Sequence, residues 1–229
     1  MLTRIPGTLQ ARFLAVVSHE LRTPLTTIAS FAESLDAGDL APAERSLALT
    51  AVRRNTERML ALVEDLMLVS RIQTGDLELT ARPADLPALL RAAIDRLATA
   101  QPDTSATLRS APGPLLTGDE RVLGELFYAV LGTVAGSATD RSATVTADPD
   151  PEAWTVRVTT RRHGELTDEH LMAGTLALPE PPYRGRSTAV WWLLAEAAAA
   201  RHGGSVELTY DPSAGGGAEI RLPMHNPTG

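Results

Sequence analysis

Cysteine is absent from the 229 residues, which excludes disulfides and thiolate metal sites. Lysine is absent as well, and all 21 basic residues are arginine. No apolar run approaches the roughly 18 residues of a membrane span, and no signal peptide is visible at the N-terminus. An excess of positive charge is also missing. The net charge is −7, with eight Arg against eight acids up to Gly75 and 13 Arg against 20 acids beyond it. That balance leaves no basic footprint for nucleic acid. There is no internal repeat, and no low-complexity tract beyond Ala197–Ala200. The remaining composition, 44% hydrophobic and 21% charged, is that of a globular chain long enough for one or two domains. A soluble, cytoplasmic protein without a membrane segment is the expectation.

The most informative stretch runs from Phe13 to Ile28. Leu9, Phe13, Val16, Val17, Leu21, Leu25, Ile28 and Leu35 recur at gaps of mostly three and four, the period of a helix with one buried stripe. Within it stand His19, Glu20, Arg22 and Thr23, with Pro24 directly behind. A proline inside a helix removes one backbone donor and loosens the preceding turn. Here that turn carries an imidazole, an acid, a base and a hydroxyl.

Residues Phe13 to Leu25 match, position by position, the phosphoacceptor pattern F-x-x-x-x-S-H-E-L-R-T-P-L of sensor histidine kinases, which the chain therefore resembles. By that resemblance His19 carries the phosphoryl group, Glu20 orients the imidazole or accepts its proton, and Arg22 pairs with phosphoryl oxygens. Glu20 to Thr23 also fits the family's Glu-x-x-Thr pattern, in which the threonine places a water for dephosphorylating a response regulator.

The first helix is predicted over 9–37 and a second over 42–74, with a glycine- and proline-containing turn between them. Two long helices joined so briefly lie antiparallel. The stripe of the second is read as Leu47, Leu49, Val52, Thr56, Met59, Leu60, Val63, Leu66, Met67 and Ser70. A lone hairpin cannot cover both stripes, so a homodimer through residues 9–74, making a four-helix bundle, is expected, the alternative being a hairpin packed on the rest of its own chain. Residues 57–75 also resemble the second helix of the histidine-kinase dimerisation domain. Residues 76–84 read as an extended linker. Helices are predicted over 85–100, 119–136 and 187–201, and strands over 106–110, 143–147, 154–160, 205–210 and 219–222. Residues 178–186 read as a loop. This order resembles the ATP-binding domain of histidine kinases, an α/β sandwich with helices on one face of a mixed sheet. The fold class is thus α+β, with residues 1–75 as dimerisation and phosphoacceptor domain, 76–84 as linker and 85–229 as ATP-binding-like domain.

The nucleotide motifs depart from the family. Ala129 and Thr133 stand where it has two asparagines, the second of which holds Mg²⁺. Alanine cannot ligate a metal, and a hydroxyl is a weak ligand for a hard cation. Thr160 replaces the adenine-binding aspartate, Arg162 the first glycine of its motif, and only Gly164 survives. In the phosphate loop, Ser187, Ala189 and Trp191 replace glycines that would let backbone N–H groups approach phosphate. No metal ligand is assigned, and ATP and Mg²⁺ are cofactors only if a divergent site works, with Arg184 and Arg186 as its candidate phosphate contacts. Three readings follow: a phosphotransfer protein or response-regulator phosphatase whose partner is a receiver domain, an ATP-dependent sensor kinase with a divergent site, and a non-catalytic dimeric scaffold.

Overall fold

The computed structural model describes residues 9–160, 188–211 and 215–224. Helices α1 (Leu9–Ala37) and α2 (Pro42–Thr74) form the antiparallel hairpin. The turn between them opens on Gly38 at φ 79°, a left-handed conformation that costs glycine little. Pro42 sits in the first turn of α2, and Glu44 accepts the Ala41 N–H at 2.9 Å. Gly75, at φ 81°, closes α2. Helix α1 continues through Pro24.

Beyond the hairpin come β1 (Arg82–Ala84), α3 (Leu86–Ala100), β2 (Ser105–Ser110), β3 (Leu116–Gly118), α4 (Glu120–Ser137), β4 (Ser142–Pro149) and β5 (Ala153–Thr159). After the undescribed stretch follow α5 (Thr188–Arg201), β6 (Ser205–Asp211) and β7 (Gly215–Pro223). The main sheet has the order β2-β4-β5-β7-β6, parallel between β2 and β4 and antiparallel elsewhere. Strands β1 and β3 make a separate two-stranded ribbon. The extended linker is thus a strand only at its end, and β3 is an element that periodicity does not reveal.

Period-two alternation divides the sheet. Val145, Ala147, Trp154, Val156, Val158, Ala218, Ile220 and Leu222 are buried beneath the helices, whereas Arg157 and Glu219 pair across the open face at 2.7 Å. Helix α5 has no polar face: ten of its residues, from Ala189 to Ala199, are buried. A helix apolar all round needs cover all round. It packs against α4 on the sheet and against α2 and α1 of the hairpin. Val16, Leu62, Val69 and Ile72 accordingly belong to the same hydrophobic core as the α/β residues.

One reading of α2 is corrected. Its inward residues are Ala48, Leu62, Asp65, Val69 and Ile72. The apolar stripe read from sequence mostly faces out, with Leu49 54%, Leu60 62% and Met67 61% exposed, and Leu47 70%. The stronger apolar periodicity marks the face that one copy of the chain leaves bare.

Candidate functional site

On α1, His19, Arg22 and Thr23 are all exposed, at positions i, i+3 and i+4 of one helical face. Leu14 and Leu25 beside them are 59% and 50% exposed. The Thr26 hydroxyl donates to the Arg22 carbonyl at 2.9 Å and the Thr27 hydroxyl to that of Thr23 at 3.0 Å. Glu20 departs from this group: it is buried, on the same inward stripe as Val16 and Pro24. Its carboxylate meets Arg58 of α2 at 3.5 Å. The side chains of Leu9 and Phe13 lie outside the described residues.

The second candidate region lies between α4 and α5. Ala129 and Thr133 are buried in the middle of α4, and the Thr133 hydroxyl has no hydrogen-bond partner among the described residues. Trp191, in the first turn of α5, is 1% exposed and meets the Tyr128 ring edge-on, with centroids 5.1 Å apart. Ala189 is buried beside it. The hydroxyl and N–H of Thr160 are both directed to the Gly216 carbonyl, at 3.4 and 3.0 Å. Gly164, Ser187, Arg162, Arg184 and Arg186, and the loop 178–186, lie outside the described residues.

These four described positions carry little that resembles a nucleotide or metal ligand. One carries a methyl group, two carry hydroxyls buried or engaged with backbone, and the fourth carries an indole packed into the core. Among the described residues no cluster of three or more His, Asp or Glu is placed to hold a metal ion.

A third constellation was not legible in the sequence. Asp119 caps α4, accepting from the N–H groups of Arg121 (3.0 Å) and Val122 (3.4 Å). Its other oxygen accepts the N–H of linker residue Thr80 at 2.8 Å and a guanidinium N–H of Arg121 at 3.1 Å. Burial pushes this carboxyl up, but the bonds from the Arg121 side chain and the three N–H groups outweigh it and hold it below the usual aspartate range. The Asp119 N–H in turn donates to Nε2 of buried His202 at 3.1 Å, and His202 Nδ1 lies 2.8 Å from the Ala198 carbonyl. Both contacts suit a neutral ring with its proton on Nδ1. Burial is the main cause holding His202 below its ordinary pKa. Arg201 donates to the Leu77 carbonyl at 3.3 Å, a direct tie between α5 and the linker.

Residues 9–75 match the His Kinase A (phospho-acceptor) domain. Sensor histidine kinase WalK of Bacillus subtilis is 36% identical over 105 residues, which is 44% of this chain and 16% of that protein. Sensor protein kinase WalK of Staphylococcus haemolyticus is 38% identical over 98 residues, 41% of this chain and 16% of that one. The probable sensor histidine kinase TcrY of Mycobacterium tuberculosis is 34% identical over 125 residues, 51% and 26% of the respective chains. The matched stretch thus spans about a sixth to a quarter of these curated relatives. In fold, the chain resembles the Acinetobacter baumannii histidine kinase AdeS, with TM-score 0.67 at 16% identity over 90% of this chain and 98% of that one. Full-length ShkA gives TM-score 0.56 at 21% identity over 92% and 44%. Residues 9–75, with the phosphoacceptor segment intact on α1, thus match the His Kinase A (phospho-acceptor) domain, and the chain as a whole shares the fold of these solved histidine kinase structures.

Proposed function

We propose that the protein handles phosphoryl groups at His19 in exchange with the aspartate of a response-regulator receiver domain, by phosphotransfer, by receiver dephosphorylation or by both, and that ATP binding by its own α/β part is weak or lost. Residues 1–75 serve as the dimerisation and phosphoacceptor domain, 76–84 as the linker, and 85–229 as a domain of the ATP-binding type with degraded nucleotide positions. The observation that carries the reading is the contrast between two regions. The His19 face is complete and exposed, whereas Ala129, Thr133, Thr160 and Trp191 are buried in or against the core.

Phosphoryl transfer depends mostly on positioning and charge neutralisation. A ring nitrogen of His19 attacks the aspartyl phosphate in line. The N–P bond forms, the P–O bond breaks, and its electron pair stays on the receiver carboxylate. A divalent cation on the receiver, together with Arg22, balances the phosphoryl charge. For hydrolysis, the exposed Thr23 hydroxyl orients a water in this reading. None of these steps uses a nucleotide.

A homodimer through residues 9–74 accompanies this reading. Leu49, Leu60, Val63 and Met67 on α2, with Leu14, Leu25 and Phe31 on α1, form an exposed apolar surface that a second hairpin would cover.

Incubation with a receiver domain carrying labelled phosphate tests the proposal. Label is expected on His19, or receiver phosphate is lost faster than alone, and neither occurs with His19→Gln. Equal behaviour of wild type and His19→Gln would remove both the transfer and the phosphatase reading and leave a dimeric scaffold.

A further inference from the structure

We propose that α5 locks the α/β part onto the hairpin, so that the turn of α1 carrying His19 and the main sheet open as one cooperative unit. Two domains joined by a linker ordinarily move relative to one another unless the surface between them is large and apolar. Here that surface is a continuous core. Val16 on α1 and Leu62, Val69 and Ile72 on α2 are buried in one cluster with Val156 and Ile220 of the sheet. Helix α5 bridges the two regions, packed against α4 as well as against α2 and α1.

Polar contacts hold the connecting segment along its length. The Leu77 N–H donates to the Arg71 carbonyl at 3.0 Å, and the Leu77 carbonyl accepts from Arg201 at 3.3 Å. The Thr80 N–H donates to the Asp119 carboxylate, and β1 pairs with β3. Leu77 and Leu79 also pack against the shared core. The linker is therefore a strap fastened at several points, not a tether.

The lock reaches the phosphoacceptor segment. Val16 lies three residues before His19, and Leu21, two residues after it, packs against the same core. The inner side of that turn is thus held by the core, while His19, Arg22 and Thr23 stay exposed. Freeing the hairpin alone would bring Val16, Leu62, Val69 and Ile72 into water together with the flank of α5 that they cover. A partial opening that exposes this much apolar surface gains little over opening the whole, which is what makes a single unit. Whatever stabilises the sandwich then steadies the His19 turn by the same factor.

Native-state hydrogen exchange on the full chain tests the lock. Val145 is buried on β4, a strand packed against β2, β5 and α4. Val145→Ala should speed exchange of the slowest β5 amides about tenfold. The slowest amides of α2 between Leu62 and Ile72, and those of α1 around Val16, should speed up by the same factor. The reciprocal variant, Val69→Ala on α2, should accelerate β4 and β5 as much as α2. In the wild-type chain, where no variant has to fold, the slowest amides of α2 and β5 should share one dependence on added urea, the mark of one opening event. Acceleration confined to the mutated region in either variant, or a shallower urea dependence in α2 than in β5, would overturn the lock and make the hairpin a separately opening unit. None of these readouts involves phosphate, so the lock stands or falls independently of the role of His19.

Discussion

Replacing Asp119 by alanine probes the joint between the hairpin and the α/β sandwich. The carboxylate is buried and accepts four hydrogen bonds, three of them from backbone N–H groups. Loss of the α4 cap costs about 1 kcal/mol. Loss of the acceptor for Thr80 N–H, the bond that holds the linker to α4, costs about 1 kcal/mol more. The Arg121 guanidinium is 73% exposed, so its ion pair is screened and contributes little. The expected loss is thus about 2 kcal/mol, or a Tm lower by roughly 4–8 °C for a chain of this size. Asp119→Asn keeps an oxygen for capping and should lose about half as much. Thermal unfolding gives the total, and hydrogen exchange at Thr80 isolates the linker: its protection should collapse in Asp119→Ala and survive in part in Asp119→Asn. A Tm within 1 °C of wild type, or unchanged Thr80 protection in Asp119→Ala, would refute the claim that this carboxylate joins the two regions.

Acid should weaken the same joint from its other side. Burial lowers the His202 pKa below 6.5, so the unfolded chain takes up that proton first, and stability present above about pH 6.5 is lost as pH falls through the folded value. Asp119, also lowered, adds a further loss below pH 3.8. Urea midpoints should therefore fall from pH 7 to pH 5, and His202→Gln should remove part of that slope. Trp191→Ala should cost about 3–5 kcal/mol in urea unfolding, the usual price of deleting a buried indole; a loss below about 1 kcal/mol would show that the indole is not core. Leu60→Glu/Met67→Glu should convert a dimer into a monomer in sedimentation while leaving the helical circular dichroism unchanged, since both side chains are exposed in the single chain.

The sequence was most legible where local patterns decide the structure. Helices α1 and α2 have the bounds that caps, glycine turns and periodicity indicate, and the inward faces of α3 and α4 contain the expected leucines. Three features were hidden, each for a physical reason. Three-residue strands such as β1 and β3 are too short to show alternation. The phase of α2 departs from its periodicity because its best apolar stripe is the uncovered one, while its inner stripe includes Arg58 and Asp65. The joint of Thr80, Asp119 and His202 links residues 39 and 83 positions apart, and no local pattern announces it. In the candidate site, the spacing of His19, Arg22 and Thr23 already implied one shared face. Glu20 turns inward to Arg58 of α2, a partner that a reading of α1 alone does not supply.

Titration of the full chain with magnesium ATP, followed by calorimetry, tests the central claim most directly. An exposed phosphoacceptor beside filled nucleotide positions predicts no saturable binding up to millimolar ATP and no ATP-dependent label on His19. Saturable binding at micromolar ATP, with label that disappears in His19→Gln, would contradict it and make the protein a kinase in its own right.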